Sequence, residues 1–336
     1  MDRKDEIILQ QMDLIRSMTE RNLRSMDTDF WGTPLMEKKT NQPPISEKSE
    51  KPASQSQAAK PEEKEEIPPK EKIEDLLAEL DSYVGMDAIK TEVRSLINMV
   101  QVYKLRREHD LPTTDMSLHM VFSGNPGTGK TTVARIMSRI YHSLDILSKG
   151  QLVEVDRSGL VAGYVGQTAI KTKKVVDAAL GGVLFIDEAY SLYRGEQDSF
   201  GLEAIDTLVK GMEDHRDELV VILAGYTKEM EVFLTANSGL ASRFPNKIEF
   251  PDYTADELLD ITAVLAKGKG YRLAEGCTFP LLGYYKRRQA LDSRTAGNGR
   301  LARNTLEKAI FNQSRRLVAE PAAELDVILP SDLELQ

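Results

Sequence analysis

The stretch that most constrains this chain is Gly124-Asn125-Pro126-Gly127-Thr128-Gly129-Lys130-Thr131. It fits the phosphate-loop pattern G-x-x-x-x-G-K-[ST]. Its surroundings suit the motif. Before it, Leu118 to Phe122 is apolar apart from His119 and predicts a buried strand. After it, Thr132 to Met137 predicts the start of a helix. A glycine-rich turn between strand and helix aims backbone N–H groups and the positive end of the helix at bound phosphates. Asn125 through Thr132 are therefore expected to cradle a nucleotide. Lys130 is expected to reach the β- and γ-phosphates, and Thr131 to place its hydroxyl on Mg²⁺. A chance match to the pattern would lack this strand–loop–helix context.

A second motif follows at Val183-Leu184-Phe185-Ile186-Asp187-Glu188. Four consecutive apolar residues fit a strand buried on both faces of a parallel sheet. The two acids stand at its carboxyl end, where open α/β sheets place their ligands. Asp187 is expected to hold Mg²⁺, and Glu188 to orient and polarise the attacking water. A strand ending in a solvated acidic turn is the plain alternative. The upstream phosphate loop in the same βα series argues against it. A water-activating carboxylate suits an NTP hydrolase, whereas a phosphoryl transfer to another hydroxyl does not need one.

Composition narrows the class. The chain has 336 residues, a net charge of −9 and 29% charged residues. An acidic chain is a poor general binder of nucleic-acid backbones, although a local basic groove stays open. The single cysteine, Cys277, excludes a disulfide framework and a cysteine-rich zinc site. His109, His119, His142 and His215 lack metal-ligand spacing, and His119 is expected to be a packed core residue. No apolar run follows the amino-terminal residues, so no signal peptide is expected. The run Leu219–Ala224 is too short to cross a membrane. The expected setting is cytoplasmic, without membrane or nucleic-acid partners.

Residues 37–71 divide the chain. They hold Pro43, Pro44, Pro52, Pro61, Pro68 and Pro69, no aromatics, and mostly Lys, Glu, Ser and Gln besides. Such a segment buries too little apolar area to offset its ordering entropy, which predicts a disordered linker. Upstream, over 1–36, Ile8, Met12, Ile15, Met18 and Met26, with Ile7, Leu14 and Leu23, form a broad apolar stripe on an expected helix. That helix either packs on its own protein or docks a partner. Trp31 beside the linker hints at a contact site. From Ile73 the pattern is globular. A short amphipathic helix precedes the turn Tyr83-Val84-Gly85-Met86, and a longer helix follows. Strands are then expected at Leu118–Phe122, Leu152–Val155, Val183–Ile186, Leu219–Ala224 and Lys247–Phe250. Alternating strands and helices predict an α/β unit with a five-stranded parallel sheet over 72–250. Residues 252–319 read as helices only, so a small all-helical lid is expected over 251–336.

Three residues have the chemistry to complete the site. Arg243, just before the last strand, can stabilise charge on a transferring phosphoryl group, at a gain of roughly 10³–10⁵ in rate in other systems. Arg300 follows Gly297-Asn298-Gly299 and opens a helix that Asn298 is expected to cap. Arg303 lies one turn further on. Thr227, after the fourth strand, is a candidate to hold the attacking water, with Tyr226 beside it. The plain reading of each is a polar surface residue.

This order of features resembles the AAA+ ATPase family, over roughly residues 72–320. The runs Tyr164-Val165-Gly166-Gln167-Thr168, Gly181 to Tyr190, Leu223-Ala224-Gly225-Tyr226 and Gly239 to Phe244 are similar to the CbbX/CfxQ–SpoVK branch. That branch includes red-type Rubisco activases, stage V sporulation protein K and the ATPase module of type VII secretion proteins. The resemblance implies a hexameric ring with ATP and Mg²⁺ at Lys130, Thr131, Asp187 and Glu188. It implies that Arg243 acts on the neighbouring subunit and that Arg300 is a lid sensor. Val84 and Gly85 match the segment beside the adenine. Two features depart from the pattern. The lid reads Gly-Asn-Gly-Arg where relatives commonly carry Gly-Asn-Ala-Arg. The extension over 1–71 is unlike a Rubisco activase, and a sporulation-protein-K-like member fits better.

Tyr164-Val165-Gly166 resembles the central pore loop of peptide-threading rings, with Gly163 and Gly166 as pivots; a buried turn tyrosine is the plain alternative. The leading expectation is a ring ATPase that remodels or partly threads a client protein. A nucleotide-switched assembly scaffold is the alternative, and a nucleic-acid motor or loader on the same core is a further one.

Overall fold

The computed structural model describes residues 69–335 except 114, 115, 237 and 321. The helix expected over 5–26, Trp31 and the linker as far as residue 68 lie outside the described residues. The described residues of 69–314 and 325–335 form one compact unit. Residues 315–324 are the end of the last helix and the bend after it.

Two helices come first, α1 (Ile73–Ser82) and α2 (Asp87–Glu108). Five strands follow: β1 (Met120–Gly124), β2 (Leu152–Val155), β3 (Val183–Ile186), β4 (Val220–Gly225) and β5 (Asn246–Phe250). They form one parallel sheet in the order β2-β3-β4-β1-β5. The connecting helices are α3 (Lys130–Ser143), α4 (Arg157–Leu160), α5 (Thr168–Ala179), α6 (Ser199–Asp214), α7 (Thr227–Ala236) and α8 (Ser238–Arg243).

Period-two alternation explains the continuous apolar strands. Met120, Phe122, Val183, Phe185, Val220 and Ile222 face one core with α1, α2 and α3. Val121, Leu184, Ile186, Val221 and Leu223 face a second core with Leu160, Val176, Leu208 and Phe233. Both faces of the central strands are covered, whereas the edge strands β2 and β5 keep exposed Glu154, Lys247 and Glu249. His119 joins this interior at 7% exposure, as expected. Its Nδ1 accepts the Val221 N–H at 3.0 Å. Burial, with help from the Arg243 charge, pulls its pKa down to about 4, so the ring stays neutral.

The lid contains α9 (Ala255–Gly268), α10 (Thr278–Leu291), α11 (Ser293–Ala296) and α12 (Asn298–Ala319). Thr254 and Glu257 close a capping box on α9. The lid also holds a short parallel strand pair, β6 (Arg272–Leu273) with β7 (Val327–Ile328), within the 251–336 expected to be all-helical. Two-residue strands are too short to leave a period-two signal. At the amino-terminal edge, Lys70 pairs with Asp145 and Glu71 with Arg139. Those two residues of the expected linker are thus tied to the globular unit.

Candidate functional site

All five strands of the sheet run parallel, so β1, β2, β3 and β4 end on one edge. The phosphate loop, the Tyr164 loop, Asp187-Glu188 and Thr227 all follow those ends. This edge is where ligands bind in open α/β sheets.

In the phosphate loop, Gly127 and Gly129 have φ of 77° and 95°, which a side chain would strain. A Cβ on Gly127 would also collide with the Gly297 carbonyl. The Lys130 ammonium donates to the carbonyls of Gly124 at 2.9 Å and Asn125 at 2.7 Å. Burial pulls its pKa down to about 8, against the opposing pull of Asp187. Arg300 also disfavours the charge, and Asp252 favours it. Lys130, Asp187, Arg300 and Asp252 therefore share one electrostatic site. Thr128 donates its hydroxyl to the Asn125 carbonyl at 2.8 Å and is buried, as is Thr132. The Asn125 side chain donates to Asp252.

Asp187 ends the β3 ladder, its N–H donating to the Val155 carbonyl at 2.8 Å. Its Oδ1 accepts the Glu188 N–H at 3.0 Å. Glu188 is exposed and left-handed, with φ of 47°. A non-glycine residue in that region carries backbone strain, which clusters at functional positions. Thr131 and Asp187 offer a hydroxyl and a carboxylate, the hard oxygen donors that suit Mg²⁺.

Thr227 opens α7 directly after β4, and the neighbouring Tyr226 accepts the Met230 N–H at its carbonyl. The Tyr226 ring lies 5.8 Å from that of Tyr190, with the Arg294 guanidinium 4.8 Å above it. Arg294 also pairs with Glu229. Arg243 ends α8 and belongs to a different cluster. It donates to the Gly239 carbonyl at 2.8 Å and pairs with Glu213.

On the lid side, the Arg300 backbone N and Cγ would lie 3.0 and 3.3 Å from a Cβ on Gly127, so Arg300 packs against the phosphate loop. Arg303, one turn on, feels both Glu307 and Arg300. Asn298 does not cap α12 as expected. It is the first residue of the helix, left-handed at φ 46°, and its side chain bonds across to Tyr253, Asp252 and Pro126. Long-range partners here outweigh the local capping chemistry that motivated the expectation. Val84 is half-buried, and a Cβ on Gly85 would meet Glu257 and Tyr253.

Tyr164 and Val165 are 75% and 90% exposed, which excludes a buried turn tyrosine. Gly166 has φ of 79° and open space around it. The loop's base is tied: the buried Thr168 hydroxyl accepts the Ala162 N–H at 3.1 Å, and Lys171 donates to the Val161 carbonyl at 3.1 Å. Below it, Arg157 forms a largely buried pair with Asp198, at 2.7 and 2.9 Å, and donates to the Ser191 and Leu192 carbonyls. Sequence reasoning missed Asp252, Arg157, Asp198 and Glu213. Only Asp252, just past the carboxyl end of β5, stood at a position that could have flagged it.

Residues 120–252 match the family described as ATPase family associated with various cellular activities (AAA), and residues 254–336 match the AAA lid domain. Stage V sporulation protein K of Bacillus subtilis (strain 168) is 43% identical over 262 residues, covering 78% of this chain and 80% of the relative. The chloroplastic ribulose bisphosphate carboxylase/oxygenase activase of Cyanidioschyzon merolae is 43% identical, covering 76% of this chain and 87% of the relative. The plasmid protein CbxX of Cupriavidus necator is also 43% identical, covering 76% and 80%. A Thermotoga maritima RuvB variant shares the fold at a TM-score of 0.50 and 22% identity, covering 75% of this chain and 69% of that one. The chain belongs to the AAA ATPase family, in the branch of CbbX, CfxQ and stage V sporulation protein K, and it binds and hydrolyses ATP.

Proposed function

We propose that this chain is a ring-forming, cytoplasmic ATPase that uses hydrolysis to remodel a client protein gripped by Tyr164 and Val165. The observation that carries the reading is the loop itself: an aromatic and an aliphatic residue, both exposed, on a tied base beside glycines with open space around them. Exposed apolar side chains of that size cost solvation unless they meet a partner. An extended polypeptide suits them, because an aromatic ring grips by area rather than by sequence.

The catalytic roles follow from the geometry above. Lys130 would balance phosphate charge, with Thr131 and Asp187 holding Mg²⁺, which supplies further charge neutralisation. Glu188 would orient the attacking water and take its proton, with Thr227 fixing the water's position. Arg243, freed from Glu213, would complete a neighbour's site, and Arg300 would report nucleotide state to the lid. Val84 and Gly85 would border the adenine. The AAA module would span 72–250 and the lid 251–336.

The test is polypeptide engagement per ATP hydrolysed, read as the anisotropy of a fluorescein-labelled, permanently unfolded polypeptide. Tyr164→Ala should keep basal hydrolysis and lose the client-dependent signal, and Tyr164→Phe should restore most of it. Equal coupling in all three proteins would refute the grip and favour the scaffold reading.

A further inference from the structure

At the junction of β5 and the lid lies a closed polar network that the phosphate chemistry does not use. The Asn125 side-chain nitrogen donates to the Asp252 carboxylate and lies 2.9 Å from each of its oxygens. Asp252 also accepts the Asn298 amide at 2.8 Å. Asn298 reaches the Pro126 carbonyl at 3.3 Å with the same nitrogen and accepts the Tyr253 N–H at 3.0 Å with its oxygen. Beside it the Gly299 N–H donates to the Gly127 carbonyl at 3.0 Å. The phosphate loop, the segment after β5 and the lid thus meet on one carboxylate and one amide. Asn298 is 2% exposed, yet both ends of its amide are satisfied. Buried amides so fully paired specify one arrangement, because any displacement leaves a polar group without a partner.

The charge on Asp252 sharpens the point. Lys130 feels it, so it lies within electrostatic reach of the phosphate site. A carboxylate there opposes a bound triphosphate by like-charge repulsion. A site shaped for phosphate affinity alone would do better with an amide. What the carboxylate offers is two acceptor oxygens and no donor: Oδ1 faces both amide nitrogens and Oδ2 faces that of Asn125, and an asparagine would set an NH2 donor against one of those donors.

We propose that Asp252 is a positioning residue, acting through Asn125 and Asn298 to hold the phosphate loop and the lid in one register. It thereby fixes Arg300, which packs on Gly127, over the phosphates. Lid movement breaks the network, so loop geometry and lid position change together. The inference rests on the nucleotide site described above.

The test uses the full chain and the variants Asp252→Asn, Asp252→Ala, Asn125→Ala, Asn298→Ala and the double Asn125→Ala/Asn298→Ala. It reads kcat and KM for ATP, ADP affinity by calorimetry, and hydrogen exchange at the Tyr253 and Gly299 amides without nucleotide. For Asp252→Asn, kcat should fall about tenfold with KM within about threefold, the scale of one or two lost hydrogen bonds. Exchange at Gly299 should quicken. The Asn125 and Asn298 substitutions should be non-additive, the double being no more than about twofold worse than the worse single. If Asp252→Asn only tightened ADP binding, with kcat and exchange unchanged, Asp252 would be an electrostatic bystander and the proposal would fall. Additive Asn125 and Asn298 effects would also overturn it. Should Asp252→Ala not fold, the near-isosteric Asp252→Asn still decides. Lys130→Ala separates the two levels: normal ADP binding by that variant would sink the nucleotide site itself, not merely the latch.

Discussion

Nucleotide binding should be coupled to proton uptake by Lys130. Burial leaves this ammonium with a pKa of about 8 in the free site. Bound phosphates supply the opposite charge that burial withholds, so the complex favours the protonated form. Taking about 8 for the free site, nucleotide Kd should weaken about tenfold between pH 7 and 9 and about threefold more by pH 9.5. Calorimetry in buffers of differing ionisation enthalpy should count about 0.1 proton taken up at pH 7 and about 0.9 at pH 9. Folding stability carries the same signature. The folded value lies below that of an unfolded lysine, so the folded chain binds fewer protons between pH ~8 and ~10.5, and stability rises with pH across that window. The rise is bounded at about 3 kcal/mol, from about 2.5 pKa units at 1.36 kcal/mol each. Lys130→Met should lack that rise while other titrations remain, so the difference between the two proteins isolates it. A Kd flat from pH 7 to 9.5, or an identical pH dependence of stability in Lys130→Met, would refute the reasoning.

Two other outcomes are expected. Arg243→Ala subunits mixed into wild-type protein should depress ATPase activity more than in proportion to their fraction, whereas strict proportionality would show that Arg243 serves no neighbour. Deleting residues 1–68 should leave melting temperature and basal turnover nearly unchanged, but deletion through Glu71 also removes its pair with Arg139 and should cost up to about 1 kcal/mol; loss of turnover on the shorter deletion would assign the amino-terminal segment to the ATPase itself.

The sheet was legible because the central strands β3 and β4 are buried on both faces and therefore apolar throughout, and because glycines at 127 and 129 announce a turn that disfavours any side chain. Glu188 and Lys130 could be read from neighbours in sequence. Asn298 could not, since its partners Asp252 and Pro126 lie 46 and 172 residues away. The Arg243–Glu213 and Arg157–Asp198 pairs were hidden for the same reason: each joins separate segments, and no local pattern points from one partner to the other. β6 and β7 escaped notice because their pairing, rather than their composition, makes them strands.

The central claim is that ATP brings Tyr164 and Val165 into contact with a polypeptide. A photo-crosslinking residue at Val165, in a Glu188→Gln background that retains ATP without turnover, tests it directly. With ATP, the labelled unfolded polypeptide should crosslink at this position, and Tyr164→Ala should weaken the yield severalfold. With ADP the crosslink should disappear. No crosslink in either state, or equal yields with ATP and ADP, would contradict an ATP-driven grip at this loop.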